Sequence, residues 1–186
     1  SGEEYATPYV ENPVASASFG IRWMTAAGVQ LLYLRDQLLP LWLSTDHSFR
    51  QVAPLRTVLD PLVLGFLVLL VLSGALAWRL RERRPEIVLC LLGYAILFSV
   101  TSNFIVPIGT IMADRLAYAP SMFTCLLVAL ALAQIRSKAL GTAAVAVLAI
   151  GFACQSFAQS RVWADDLTLF QDQVRTAPES AKSHGN

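Results

Sequence analysis

Four long stretches of this chain carry no Asp, Glu, Lys or Arg: residues 62–78, 87–106, 121–135 and 139–157. A hydrocarbon core about 30 Å thick takes a helix of about 20 residues, with a range of about 17–25. Two stretches reach that length unaided. The first does so by borrowing Val58 and Leu59, and the third by starting near Leu116. The pattern therefore predicts transmembrane helices at about 59–78, 87–106, 116–135 and 139–158. Residues 22–43 are also apolar but carry Arg22, Arg35 and Asp36. On a helical wheel, Arg22, Thr25, Gln30, Tyr33, Asp36 and Gln37 fall within an arc of roughly 140°. Trp23, Met24, Leu31, Leu34, Leu38, Leu41 and Trp42 fill the opposite side. Such a pattern predicts an amphipathic helix lying in the membrane interface, with a true span as the alternative. Pro40 and the turn-forming Ser44-Thr45-Asp46 are expected to stop it. Arg35 projects from the apolar side, either as a snorkelling side chain or aimed at a lipid headgroup.

After Phe157 the pattern changes. Trp163, Leu167, Phe170 and Val174 recur at helical spacing, and Asp165 and Asp166 sit where carboxylates suit a helix N-terminus. Thr176-Ala177-Pro178 should end this helix. Its apolar stripe has no partner within the sequence, and residues 180–186 begin a pattern that is not completed. With no initiator Met, the chain reads as part of a longer protein.

Charge distribution gives the orientation. Arg79, Arg81, Arg83 and Arg84 crowd the first connection, and Arg136 and Lys138 mark the third, whereas residues 107–120 hold Arg115 beside Asp114. The positive-inside rule places the two basic turns in the cytoplasm. The 107–120 loop and both termini are then extracytoplasmic. Three regions follow: an extracytoplasmic segment over 1–60, a membrane region over 61–158, and an extracytoplasmic helix over 159–186. Overall, 55% of the residues are hydrophobic, 15% are charged, and the mean hydropathy is +0.55. That is too apolar for an ordinary soluble domain or a disordered chain. A net charge of +1 offers no bulk field to attract nucleic acid. Arg outnumbers Lys twelve to two, a bias that fits a GC-rich bacterial genome and hence an inner membrane; in a eukaryote the membrane would be that of the endoplasmic reticulum. Cys90, Cys125 and Cys154 lie in apolar runs without metal-ligand spacing, and are expected as small buried hydrophobes.

In the outer loop, Pro107 should break the preceding helix, and Gly109 should permit unusual backbone angles. Arg115 offers a planar fork suited to a phosphate; an interfacial snorkel or a structural ion pair is the other reading. The bare span centres argue against a transporter, which places ionisable groups at mid-membrane.

Four stretches resemble the transmembrane and tetratricopeptide-repeat O-mannosyltransferase-like family, built on the glycosyltransferase C superfold. They are Glu11-Asn12-Pro13; Tyr33-Leu34 through Pro40 with Leu43-Ser44, Asp46 and Ser48; Ser102-Asn103-Phe104 through Pro107, Thr110, Ala113-Asp114-Arg115-Leu116, Tyr118 and Pro120-Ser121; and Arg161, Trp163, Leu169-Phe170, Val174, Pro178, Ser180-Ala181-Lys182, His184 and Asn186. The family usually has Glu where Asp114 stands. The resemblance implies an all-α, polytopic membrane fragment: four transmembrane helices, an interfacial helix, and a C-terminal helix leading into tetratricopeptide repeats. It implies part of an enzyme that moves a sugar, typically mannose, from a polyprenyl- or dolichyl-phosphate carrier to protein hydroxyls on the extracytoplasmic side. The lipid-linked sugar is then the donor substrate, with no covalently bound cofactor, and acceptor proteins are partners. The superfold's catalytic carboxylate lies on a first outer loop that this sequence does not contain, so no catalytic residue is assigned. The resemblance implies a lipid-phosphate site built on Arg115, with Tyr118 and Asn103 nearby. Asp46 is either an acceptor-site residue or a turn cap. Arg161 and Trp163 are expected to orient the repeat region on the membrane. The competing reading is a non-catalytic membrane anchor that presents tetratricopeptide repeats to protein partners.

Overall fold

The computed structural model describes residues 12, 14–40, 52–105 and 108–176. Among them the regular structure is all helical. The helices are α1 (Phe19–Leu38), α2 (Pro61–Leu80), α3 (Pro85–Thr101), α4 (Tyr118–Leu132), α5 (Lys138–Val162) and α6 (Asp166–Thr176), with a 3-10 turn at Asp114–Ala117 leading into α4.

Local chemistry sets most of these boundaries. The Asp60 carboxylate accepts the Leu62 N–H at 2.9 Å and Pro61 opens α2, a pairing of cap and first-turn proline that satisfies a helix start. Pro85 opens α3 as well, there without a side-chain cap from Arg84. Ser137 caps α5 by accepting the Leu140 N–H at 3.3 Å. Pro120 falls in the first turn of α4, where a missing N–H costs nothing. Asp165 caps α6: its carboxylate accepts the Thr168 N–H at 2.7 Å and the Thr168 hydroxyl at 2.8 Å. Those hydrogen bonds, the backbone one foremost, hold its carboxyl below the usual carboxylate range.

Two boundaries differ from expectation. Helix α1 stops at Leu38, short of Leu43, because Leu39 precedes Pro40 and takes an extended conformation (φ −134°, ψ 79°). Residues 41–43 lie outside the described residues. Helix α3 stops at Thr101, well before Pro107. Asn103 adopts φ 60°, the left-handed conformation that ends helices and that Asn tolerates better than most residues. Gly109 does not have a positive φ. The unusual backbone expected there is supplied by Asn103 instead.

Among the described residues, three helical segments are long and apolar enough to cross a membrane: Pro61–Leu80, Asp114–Leu132 and Lys138–Val162. Helix α3 is equally apolar but has 17 residues, about 25 Å at the standard rise. Only Val63 of α2, Pro120 and Thr124 of α4, and no residue of α5 are buried within the protein. The outward faces are Leu, Val, Ile and Phe, the composition of helices solvated by lipid. Cys125 and Cys154 share this outward exposure, so of the three cysteines only Cys90 is a buried hydrophobe.

Glycines allow the closest helix approaches. A Cβ on Gly93 of α3 would collide with the Phe123 ring of α4. Gly28 of α1 faces Leu62, and Gly65 of α2 faces Leu31, so α1 crosses the first turns of α2 at close range. The apolar core lies at this same end: Val14, Val29, Tyr33, Phe98, Ile111 and Met112 form one buried cluster where α1, the end of α3 and the 108–113 segment meet.

Candidate functional site

Helix α1 organises the loop end of the bundle. Its wheel was expected to turn the polar arc to water. The structure turns most of that arc inward: Thr25, Gln30, Tyr33 and Asp36 are buried, whereas Trp23 and Leu38 of the apolar side are exposed. Several of the polar side chains in this arc reach a defined partner. The Thr25 hydroxyl accepts the Leu55 N–H at 2.8 Å. The Gln30 amide donates to the Tyr94 hydroxyl at 3.0 Å. The Thr124 hydroxyl donates to Gln37 Oε1 at 2.6 Å. In an apolar surround, polar side chains seek the protein interior and one another. The arc therefore reads as an internal seam between α1 and the ends of α2, α3 and α4. The Nε of Arg35, whose side chain is partly exposed, lies 2.8 Å from the buried Asp36 Oδ1.

Two asparagines fix the outer loop. Asn12 is completely buried, and its amide donates to Asn103 Oδ1 at 3.0 Å and to the Ile108 carbonyl at 2.6 Å. Asn103 donates to the Thr110 carbonyl at 3.1 Å and accepts the Ile108 N–H at 2.9 Å. The left-handed backbone at Asn103 is thus held from both sides by its own side chain. Tyr33 adds a third anchor from α1: its hydroxyl accepts the Ala113 N–H at 2.8 Å and donates to the Ala113 carbonyl at 3.2 Å. Its ring packs edge-on against Phe98 with centroids 4.8 Å apart. Three of the stretches that carry the family resemblance, widely separated in the chain, meet at these contacts.

The anchored backbone runs directly into the 3-10 turn that carries Asp114 and Arg115. Next to it opens a cavity of about 260 Å³, lined by Tyr33, Asp36, Gln37, Asp114, Arg115, Ala117, Tyr118 and Ser121. Two of the expected site residues, Arg115 and Tyr118, are therefore brought together. Tyr118 is 84% exposed. Asn103 is not at the cavity. Its amide is committed to loop backbone, so it shapes the loop and does not line the site. Asp46 lies outside the described residues. Sequence reasoning missed Asp36 and Gln37 as cavity residues. The available signal was the polar arc that includes Gln30 and Tyr33, which the wheel displayed but assigned to water.

Chemically, the cavity pairs one guanidinium fork with phenol, hydroxyl and amide groups and two carboxylates. A guanidinium binds a phosphate through two parallel N–H donors. The hydroxyl, amide and carboxylate groups match the hydroxyls of a sugar.

Comparison with known proteins bears on this arrangement. No family model matches the chain, and no solved structure matches it. Among curated proteins, Protein O-mannosyl-transferase Tmtc3 of Drosophila melanogaster is 27% identical over 189 residues, covering 95% of this chain and 20% of the fly protein. Protein O-mannosyl-transferase TMTC1 of Mus musculus is 27% identical over 188 residues, again 95% of this chain and 20% of the relative. The TMTC3 protein of Homo sapiens is 29% identical over 102 residues, 53% of this chain and 11% of its own length. The chain thus spans about a fifth of the length of the first two relatives. Over nearly its whole length it is similar to protein O-mannosyltransferases of the transmembrane and tetratricopeptide-repeat type, the family that its loop motifs resemble.

Proposed function

We propose that this chain is part of a membrane glycosyltransferase. It moves a sugar, mannose by analogy with the names of its relatives, from a polyprenyl- or dolichyl-phosphate carrier to protein hydroxyls on the extracytoplasmic side. The observation that carries this reading is the gathering of Arg115 and Tyr118 with Asp36 and Gln37 around one cavity at the loop end of the spans. Arg115 grips the lipid phosphate, whose negative charge grows as the bond to the sugar breaks. Donors aimed at developing charge are the main source of rate enhancement at such a centre. Tyr118 contributes a hydroxyl donor beside it. Asn103 acts on the same site through the loop. The carboxylate that takes the acceptor's hydroxyl proton comes from elsewhere in the longer protein.

This reading fixes a topology. Helices α2, α3, α4 and α5 are four spans, with the tight basic turn between α2 and α3 and the turn before α5 in the cytoplasm. Helix α1 lies across the outer ends of the spans, both ends of the chain are extracytoplasmic, and α6 leads into the repeats that present acceptor proteins. The test is Arg115→Ala in the full-length protein, assayed with a lipid-phosphate-linked mannose donor and a hydroxyl-bearing acceptor. Transfer is expected to fall by about 10²–10³-fold with expression and membrane insertion unchanged. Arg115→Lys keeps the charge but loses the fork, and should fall between the two. Wild-type transfer by Arg115→Ala would overturn the phosphate assignment.

A further inference from the structure

The opposite end of the bundle carries a second concentration of chemistry that sugar transfer does not use. Helix α2 ends at Leu80, and the chain reverses at once: the N–H groups of Arg83 and Arg84 donate to the Leu80 carbonyl at 3.0 and 2.7 Å. This tight turn frames a cleft of about 460 Å³ lined by Trp78, Arg79, Arg81, Glu82 and Arg83. The Arg81 guanidinium lies over the Trp78 ring, 3.8 Å from its centroid, and Trp78 is 70% exposed. Arg84 reaches across to donate to Gln134 Oε1 at 3.3 Å, which draws the end of α4, and with it Arg136 and Lys138, to the same edge.

Six bases stand here against two acids, Glu82 and Glu86. Glu82 lies 3.6 Å from Arg81 and Glu86 lies 3.5 Å from Arg84. Arg79 and Arg83 have no ion pair among the described residues. The cleft opens directly beyond the apolar surface of α2. A ligand that fills it therefore presents negative charge next to hydrocarbon, which is the chemistry of an anionic phospholipid and not of a soluble polyanion. A tryptophan at the end of a span sits at headgroup level, and an arginine stacked upon it is preorganised to hold a phosphate.

We propose that the 78–84 turn is a binding site for the headgroup phosphate of an anionic phospholipid, gripped by Arg79, Arg81 and Arg83 against the Trp78 ring. Diffuse attraction between basic residues and a charged leaflet is worth about fivefold per residue and does not distinguish Arg from Lys. A built site does.

The test uses the full-length protein in vesicles of phosphatidylcholine with or without phosphatidylglycerol, extracted and read by native mass spectrometry. Wild type is expected to retain phosphatidylglycerol over phosphatidylcholine. Replacing Arg79, Arg81 and Arg83 together by Lys keeps the charge, and with it the membrane orientation, but removes the forks. That variant should lose most of the selectivity, and Trp78→Leu should lose part of it. Equal retention by the Lys variant would overturn the site in favour of diffuse attraction. No selectivity in wild type, or ready displacement of the lipid by inorganic phosphate, would overturn it as well.

Discussion

Tyr33 offers the sharpest test of how the outer loop is held. Tyr33→Phe removes one oxygen from a side chain that is 1% exposed. The ring and its edge-on contact with Phe98 remain. What disappears is the acceptor for the Ala113 N–H, at 2.8 Å, and the donor to the Ala113 carbonyl, at 3.2 Å. Ala113 itself is fully buried, so water cannot easily replace the lost partner. Leaving a buried backbone donor unpaired costs about 1–3 kcal/mol. That equals a change of about 5- to 150-fold in the equilibrium for opening this segment. Amide hydrogen exchange reads it directly: peptides covering 108–117 should exchange faster in Tyr33→Phe by that factor, while those from α5 should not change. Because Arg115 stands two residues beyond Ala113, sugar transfer should fall in parallel. Tyr33→Ala also removes the ring and should cost about 3–5 kcal/mol, enough to endanger the loop-end core. Wild-type exchange over 108–117 in Tyr33→Phe would refute the claim that α1 pins the loop through this hydroxyl.

Further outcomes can be checked alongside. Gly93→Val should separate α3 from α4 and lower thermal stability by about 1–3 kcal/mol, and Phe123→Ala in the same protein should restore part of the loss by vacating the colliding ring. Asn103→Ala should be worse than Asn103→Gly by about 1 kcal/mol, measured by thermal unfolding in detergent, because only glycine tolerates the left-handed backbone freely. Asn12→Ala combined with Asn103→Ala should cost less than the two changes summed, since they share hydrogen bonds. At α6, the Asp165 carboxyl titrates lower folded than unfolded. Its contribution is therefore complete above the ordinary carboxylate range and is lost as pH falls through the folded value. Exchange at the Thr168 amide should rise over that acid range, and Asp165→Asn should abolish the pH dependence while keeping the cap.

Sequence pattern makes the helices themselves legible, because apolar length and capping residues are local properties. Asp60-Pro61, Ser137 and Asp165 announce starts that side-chain geometry then realises. What the pattern does not contain is the direction each face points. Periodicity locates the polar arc of α1 but not its surroundings, and in a chain this apolar the interior is the more polar place. The end of α3 escapes local pattern for a related reason. Pro107 is the local breaker, but the helix yields earlier, at Asn103, because Asn12 supplies a partner from 91 residues away. Nothing in the neighbourhood of Asn103 encodes that partner. Arg115 and Tyr118 were accessible because they share one short loop. Asp36 and Gln37 join them only through the crossing of α1, which is a tertiary fact.

The Asn12–Asn103 contact also sets an order of events in time. Chains emerge from synthesis at about 5–20 residues per second, so Asn12 waits several seconds before its partner exists. The loop-end core cannot close until α2 and α3 have been made and residues 108–113 have followed. During that interval α1 must persist without its seam, and the same polar arc that later turns inward keeps it wetted while it waits. Helices that insert first and associate afterwards are the rule in membranes. Here the closing step joins Asn12 to a loop 91 residues further along the chain, so the cavity beside Arg115 takes shape only after α2 and α3 are in place.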